Sequence, residues 1–270
     1  MFQFYVRRRA TAIAAGLLAT AMLLGCGKKE DTPARPPASG TPPPAMTPAA
    51  PPAAPAAATE GTASIAGKVT FTGAAPVVAT MDMNADPVCA GMHTGPVGGG
   101  DAIVAADGGL KNVIVYVQSG ASSNFSAPEA AVVLDQKGCV FEPHVVALQV
   151  GQTLKFVNSD TTTHNVHTLS DLNRAFNTSM PIPNMEIEKT FDDVEIFKIK
   201  CDVHPWMSSW VGVFDNPFFA VTDADGSFEL AGLPAGTYTV VAVHEKYGEK
   251  PTEVTVGDGE AGTADFAYGG

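Results

Sequence analysis

The chain has 270 residues and carries 16 Lys and Arg against 28 Asp and Glu, a formal net charge of −12. This acidic balance argues against nucleic-acid binding, which depends on a basic surface. An acidic surface suits attraction to a basic partner, but it also keeps proteins soluble, which is the simpler explanation.

The first 25 residues have the features of an export signal and not of a folded domain. Arg7–Arg9 precede an apolar run that is too short to remain as a membrane span. The run ends in Leu-Leu-Gly-Cys at Cys26, which resembles a bacterial lipoprotein lipobox. The resemblance implies cleavage before Cys26 and a lipid on its sulfur, so that the protein is anchored to a membrane without spanning it. An ordinary signal peptide followed by a chance cysteine is the alternative.

Residues 26–60 are rich in Pro, Ala and Thr and contain almost no large apolar side chains. Such a segment cannot bury enough surface to offset the entropy of ordering it. The prolines favour extended conformations, so we expect a semi-rigid tether. Without residues 1–25 the chain keeps 13 Lys and Arg against 28 Asp and Glu, a formal charge of −15.

The remaining part of the chain reads as short strands and turns. Runs such as Lys111–Val117, Val145–Val150 and Thr237–Val243 are rich in β-branched and aromatic residues. Gly, Pro, Asn and Asp interrupt these runs at intervals of about 8 to 12 residues, which is typical of a sandwich or barrel. No stretch keeps a helical apolar period for three turns, so we predict an all-β fold with almost no helix.

The C-terminal part resembles a known small domain. Ala220–Val240, with its Asp-Ala-Asp-Gly turn and its Leu-Pro-Ala-Gly-Thr-Tyr run, resembles the carboxypeptidase regulatory-like (transthyretin-like) β-sandwich, a family of non-catalytic domains. The usual opening strand of that family appears far upstream, as Ile65–Gly73. The resemblance implies a discontinuous sandwich, residues 61–120 and 216–270, with residues 121–215 inserted in it.

The inserted part contains a cluster of metal-ligand residues. Cys201, His204 and Met207 lie in one run, Cys-Asp-Val-His-Pro-Trp-Met, and His164 lies upstream in Thr-His-Asn-Val-His. Soft sulfur combined with imidazole favours copper. Two His and one Cys in a plane with a weak axial Met is the blue-copper geometry, so these residues predict one type 1 copper ion. Met180 and Met185 are alternative axial ligands.

The same part resembles the cupredoxin family, most closely amicyanin and plastocyanin. Phe141–Asn158, Thr163–His167 and the Cys-x-x-His-x-x-Met run that begins at Cys201 match its motifs in the right order. The resemblance implies a Greek-key cupredoxin barrel or sandwich over residues 121–215.

The resemblance also assigns roles around the metal. It implies that His164 is the first ligand and His167 a partly exposed strand residue. Asn165 would tie the two ligand-bearing loops together by hydrogen bonds. The ring of His204 would reach the surface through an apolar patch that includes Trp206, which would give the electron its exit.

Cysteine parity adds a constraint. If Cys26 carries a lipid and Cys201 binds the metal, Cys89 and Cys139 remain and form a disulfide, as an oxidising compartment permits. Parity alone does not decide between the possible pairings. Cys89 also lies close to Met92 and His93, so a second copper site at these three residues is a further possibility.

These features favour an electron carrier that is not an enzyme. We expect a lipid-anchored monomer in the periplasm or at the cell surface, which passes single electrons between redox proteins such as a c-type cytochrome or a dehydrogenase. Gly27 is not the Asp that resembles an inner-membrane retention signal, which favours the outer membrane. A Cu(I)-binding protein that buffers or delivers copper is the alternative, and an interaction module with a structural metal is the third possibility.

Overall fold

The structure is a computed structural model that describes residues 60–269. The predicted signal peptide, the lipidation of Cys26 and all but the last residue of the predicted tether lie outside the described residues. Among the described residues, no helix is both long and apolar enough to cross a membrane.

Nearly all regular structure in the described part of the chain is β-strand, which confirms the all-β prediction. In chain order the elements are β1 (Ala63–Thr72), α1 (Pro87–Gly91), β2 (Ile114–Ser119), β3 (Val132–Lys137), β4 (Val140–Glu142), β5 (Val145–Gln149), β6 (Leu154–Asn158), β7 (His164–Thr168), β8 (Asn177–Met180), β9 (Met185–Lys189), β10 (Glu195–Lys200), β11 (Ser208–Phe214), β12 (Phe219–Val221), β13 (Ser227–Leu233), β14 (Gly236–His244), β15 (Gly248–Val256), β16 (Ala261–Thr263) and β17 (Phe266–Gly269).

Strand β1 shows how the apolar pattern selects a buried face. Ile65, Val69 and Phe71 are buried, and the residues between them are half-buried. Because successive side chains point to opposite faces of a strand, this alternation commits one face to a core. Gly67 lies on the same face, where a Cβ would stand 1.9 Å from the carbonyl oxygen of Ala264. The absence of a side chain at Gly67 therefore allows the neighbouring chain to approach closely.

The first sandwich combines strands from the two ends of the described chain. One sheet has the order β13-β1-β16, with β17 also paired to β1, and the other has the order β12-β2-β14-β15. β1 pairs antiparallel with β13, and β2 pairs antiparallel with β12 and β14. The core between the sheets contains Ile65, Val115, Tyr238 and Tyr268. All these strands fall within residues 61–120 or 216–270, so this sandwich is discontinuous in sequence.

The second sandwich contains β3 to β11. One sheet has the order β5-β11-β10-β7-β8 and the other the order β4-β3-β6-β9. The pairs β3–β6 and β5–β11 are parallel, so the chain crosses between the sheets and does not form only hairpins. Its core contains Leu134, Phe156 and Val211, and also the predicted ligands Cys201 and Met207.

Residues 81–97, here called the cap segment, pack on the second sandwich, although the sequence assigned them to the first. A backbone hydrogen bond of 2.8 Å from Met81 N to the carbonyl of Val97 closes the segment at its base. A disulfide joins Cys89 in α1 to Cys139 in the turn between β3 and β4. Both cysteines belong to the buried core of the second sandwich.

An apolar joint connects the two sandwiches. The ring of Tyr116 in β2 lies 4.6 Å from that of Phe214 in β11, measured between centroids. Beside these rings, the carboxylate of Glu245 accepts hydrogen bonds from His144 Nε2 and from Trp210 Nε1, the latter at 2.6 Å. The polar contact and the aromatic contact both bridge the sandwiches, so the joint is held by burial and by hydrogen bonding.

Candidate metal centre

The predicted ligands come from two neighbouring strands of the second sandwich. His164 is the first residue of β7, and Cys201 directly follows β10. These strands pair antiparallel, with Lys200 opposite His167. The start of residues 201–207, here called the ligand loop, therefore lies beside β7. His204 lies in the loop between β10 and β11. The sheet therefore brings together residues that are far apart in the sequence.

The three donor atoms meet in a buried position. His164 Nδ1 and His204 Nδ1 are 2.9 Å apart, and Cys201 Sγ lies 3.9 Å from His204 Nδ1. All three atoms lie within 4.8 Å of one another. Each of these residues is at most 2% exposed, and Met207 is 1% exposed in the same core as Cys201.

Short backbone contacts close the ligand loop. Cys201 N donates to the carbonyl of Met207 at 3.1 Å, and Met207 N donates to the carbonyl of His204 at 2.9 Å. The loop is therefore compact, and it directs the side chains of Cys201, His204 and Met207 into the interior. Asn165 holds it from the neighbouring strand, because its Oδ1 accepts from Asp202 N at 2.6 Å.

In each of the two predicted ligand histidines, the N–H of the other ring nitrogen donates to a carboxylate. His164 Nε2 lies 2.9 Å from Asp160 Oδ2, and His204 Nε2 lies 3.0 Å from Asp86 Oδ2. The backbone N–H of Cys139 also donates to Asp160 at 2.7 Å. The sequence reasoning identified neither carboxylate. Asp160 was open to detection through its spacing of four residues from His164, whereas Asp86 is 118 residues from His204.

The two carboxylates determine which ring nitrogens are free. An ionised carboxylate only accepts hydrogen bonds, so it assigns the ring proton to Nε2 and leaves a lone pair on Nδ1. His164 and His204 would then point two lone pairs at each other across 2.9 Å. Two acceptors at that distance repel unless a proton or a metal cation is shared between them. The buried thiol of Cys201 beside them completes a donor set that suits copper, and zinc accepts the same ligand types.

The local charges also favour a cation at this point. Burial alone would lower the pKa of His164, but hydrogen bonding to Asp160 and Cys201 raises it to about 9. Burial alone would raise the pKa of Cys201, but hydrogen bonding from His164 and from backbone N–H groups lowers it below its usual value. The hydrogen bond from His204 lowers the pKa of Asp86 to about 2. The groups around His164 therefore favour a positive charge at this point, carried either by the protonated ring or by a metal ion that replaces its proton.

The expectation that the ring of His204 reaches the surface is wrong. His204 is 2% exposed, because the cap segment covers it. Cys89 Sγ lies 3.6 Å from its Nε2, and the ring of Trp206 lies 5.0 Å from its ring. The resemblance suggested an exposed edge because it concerned only residues 121–215, and the covering residues come from outside that range.

The structure joins Cys89 and Cys139 in a disulfide, so neither sulfur is free to act as a thiolate. His93 Nε2 instead donates to the carbonyl of Gly138 at 2.7 Å. Cys89, Met92 and His93 therefore do not form a second copper site in this disulfide-bonded structure.

The remaining sequence candidates lie in ordinary contacts. Met180 is fully buried, and its sulfur accepts a hydrogen bond from Gln136 Nε2 at 3.0 Å. Met185 is the half-buried first residue of β9. His167 is partly exposed, and its Nδ1 pairs with Asp202 at 2.9 Å. His164 is thus the member of the Thr-His-Asn-Val-His motif that faces Cys201 and His204.

Comparison with known proteins gives one family match and several fold similarities. A model of the carboxypeptidase regulatory-like domain matches residues 215–268. No curated protein matches the chain.

Three solved structures illustrate the fold similarities. The copper-containing nitrite reductase of Thermus scotoductus is 22% identical with a TM-score of 0.31, and the match covers 36% of this chain and 25% of that one. A purple cupredoxin from Nitrosopumilus maritimus is 21% identical with a TM-score of 0.27, covering 32% and 99%. Amicyanin from Paracoccus versutus is 24% identical with a TM-score of 0.29, covering 37% and 96%. The chain thus spans about a quarter of the nitrite reductase that it matches. Residues 215–268, at the C-terminal end of this nearly all-β chain, match the carboxypeptidase regulatory-like domain.

Proposed function

We propose that the chain is a type 1 copper protein that carries single electrons, with one copper ion held by His164, Cys201, His204 and Met207. The observation that carries the proposal is the convergence of two imidazole Nδ1 atoms and one thiol sulfur within 4.8 Å in a buried site. When bound there, copper would supply the one-electron redox couple.

The protein's own residues would keep the site rigid and dry. Asn165 holds the ligand loop to the strand that begins with His164. The carboxylates of Asp160 and Asp86 fix the orientation of the two rings. Burial of the donor atoms excludes water. A site that moves little between oxidation states needs little rearrangement when an electron arrives or leaves.

The surroundings of the protein form a second part of the proposal. A lipid on Cys26 and the Pro- and Ala-rich residues 26–60 would hold a monomer near a membrane, in the periplasm or at the cell surface. Its partners would be redox proteins such as a c-type cytochrome or a dehydrogenase, and the chain itself would not be an enzyme. The acidic charge supports attraction to a partner with a basic docking face.

One observation favours the alternative, a Cu(I)-binding protein that buffers or delivers copper. The cap segment and the disulfide cover His204, so this ligand offers no ring edge to a redox partner. A covered site suits retention of the metal better than rapid exchange of electrons through an exposed ligand.

The visible and EPR spectra of the full mature chain loaded with copper distinguish these functions. An intense thiolate-to-copper band with reversible one-electron reduction supports the electron carrier. Colourless, tight Cu(I) binding without a stable Cu(II) form supports copper handling, and zinc in the purified protein supports a structural metal.

The ligand assignment is tested by replacing the thiol. Cys201→Ser should abolish the colour and leave the circular dichroism of the metal-free protein unchanged, because the hydroxyl replaces the sulfur in the same small space. His167→Gln, which changes the other histidine of the same motif, should keep the colour. Retained colour in Cys201→Ser would contradict the assignment.

A further inference from the structure

We propose that Asp86, in the cap segment, is a positioning residue of the metal centre. Its carboxylate holds His204 with Nδ1 turned to the metal and favours the more highly charged state of the ion. This inference rests on the proposed copper site. The Asp86 Oδ2 to His204 Nε2 distance is 3.0 Å. His204 Nε2 faces the cap segment, while His204 Nδ1 faces His164.

The carboxylate of Asp86 is itself held in place. Its Oδ1 accepts from Val88 N at 2.8 Å, which caps the N-terminus of α1. Its Oδ2 also accepts from Thr162 Oγ1 at 3.1 Å, next to the strand that begins with His164. The disulfide of Cys89 fixes α1 to the second sandwich. The carboxylate is therefore organised before any metal binds, so little entropy is lost in ordering it around the metal.

The contact has two effects on the ring of His204. A carboxylate cannot donate, so the ring proton stays on Nε2, and Nδ1 keeps the lone pair that a metal needs. A carboxylate that accepts a hydrogen bond from Nε2 also makes the imidazole more basic, so Nδ1 binds a metal ion more strongly. A stronger donor and a nearby negative charge stabilise Cu(II) more than Cu(I), because Cu(II) carries the larger charge.

The cap segment also defines what a partner would meet above this ligand. His204 is 2% exposed, whereas Val88 and Met92 in the cap segment are 43% and 37% exposed. A partner that approaches from this side touches the cap segment before it reaches the ring.

Asp86→Asn tests the carboxylate with the smallest structural change. Asn is as good an N-cap as Asp, so α1 should persist. With its Oδ1 still on Val88 N, however, the amide turns an N–H toward His204 Nε2 and favours the ring proton on Nδ1. Asp82→Asn is the matched control, because Asp82 is an exposed carboxylate of the same segment that contacts Asn84 and not His204.

We expect Asp86→Asn to lower the Cu(II) affinity by about 10- to 100-fold, as other changes to groups that orient metal ligands do. If the loss falls on Cu(II) alone, the reduction potential rises by about 60 to 120 mV, at 59 mV per tenfold for one electron. Affinity and potential equal to those of Asp82→Asn would overturn the proposal.

A measurement without copper separates this inference from the proposed function. In the metal-free wild type and in Asp82→Asn, the NMR resonances of the ring nitrogens of His204 should place the ring proton on Nε2. In Asp86→Asn they should place it on Nδ1, because the amide N–H now faces Nε2. The same ring tautomer in all three proteins would refute the role of Asp86. A wild type with the proton on Nε2 that binds no copper would refute only the proposed function.

Discussion

Removal of the disulfide between Cys89 and Cys139 should cost stability that can be calculated from its span. The two cysteines are 50 residues apart in the sequence. In the chain-entropy model, a loop of that length removes about 14 cal/mol/K from the unfolded state, which is about 4 kcal/mol at 25 °C. For a protein of this size, that loss corresponds to a fall in Tm of about 8 to 16 °C.

The assay is chemical and thermal unfolding of the metal-free double variant Cys89→Ser/Cys139→Ser beside the wild type. Tryptophan fluorescence reports on the right region, because Trp206 Nε1 donates to the carbonyl of Cys139 at 3.0 Å. A dithiol reductant should bring the wild type to the stability of the double variant and leave the double variant unchanged. Equal unfolding midpoints for the wild type without reductant and for the double variant would refute the reasoning, because the disulfide would then not constrain the unfolded chain.

Two further changes test the joint and the ligand loop. Glu245→Gln should lower the free energy of unfolding by about 1.5–3 kcal/mol, the range for a hydrogen bond to a charged group, while Glu229→Gln on the exposed face of β13 should change it little. Burial alone would raise the pKa of Glu245, but hydrogen bonding, chiefly from His144, lowers it below its ordinary 4.5. This stabilisation is therefore full above pH 4.5 and is lost as the pH falls through the lower folded value, so Glu245→Gln should flatten the acid limb of a stability–pH curve. Asn165→Ala leaves Asp202 N without its hydrogen-bond partner, so it should lower the free energy of unfolding by about 1–3 kcal/mol. It should also speed the loss of bound metal to a chelator, and an unchanged rate of loss would show that Asn165 does not hold the ligand loop.

The sequence was most informative where the relevant signal is local. Alternating apolar residues predicted the strands because side chains in a strand have a period of two. Cys201, His204 and Met207 could be grouped because they lie in one turn, and the donor types alone indicated copper. His164 could be added only by resemblance, because no local rule predicts that β7 and β10 are neighbours.

The sequence was least informative about groups that meet only after folding. Asp86 looks like an ordinary turn residue beside a proline, and nothing near it points to His204. The burial of His204 could not be predicted because the covering residues come from a segment before β2. The cap segment has too little periodicity to indicate which sandwich it packs on. Such contacts between distant parts of the chain depend on packing, which no fixed spacing of residues in the sequence reveals.

The two chain crossings between the sandwiches lie side by side. Val117 N donates to the carbonyl of Phe218 at 2.9 Å, and β2 and β12 pair with Tyr116 opposite Phe219. Excision of the inserted unit and closure of the gap with a two-residue Asn-Gly turn would therefore yield an ordinary β-hairpin. The strand connections of the first sandwich therefore do not depend on the presence of the inserted unit. Removal would expose to water the apolar face around Ile114, which now packs against the insert, and would leave the cap segment without its packing surface and Cys89 without its disulfide partner.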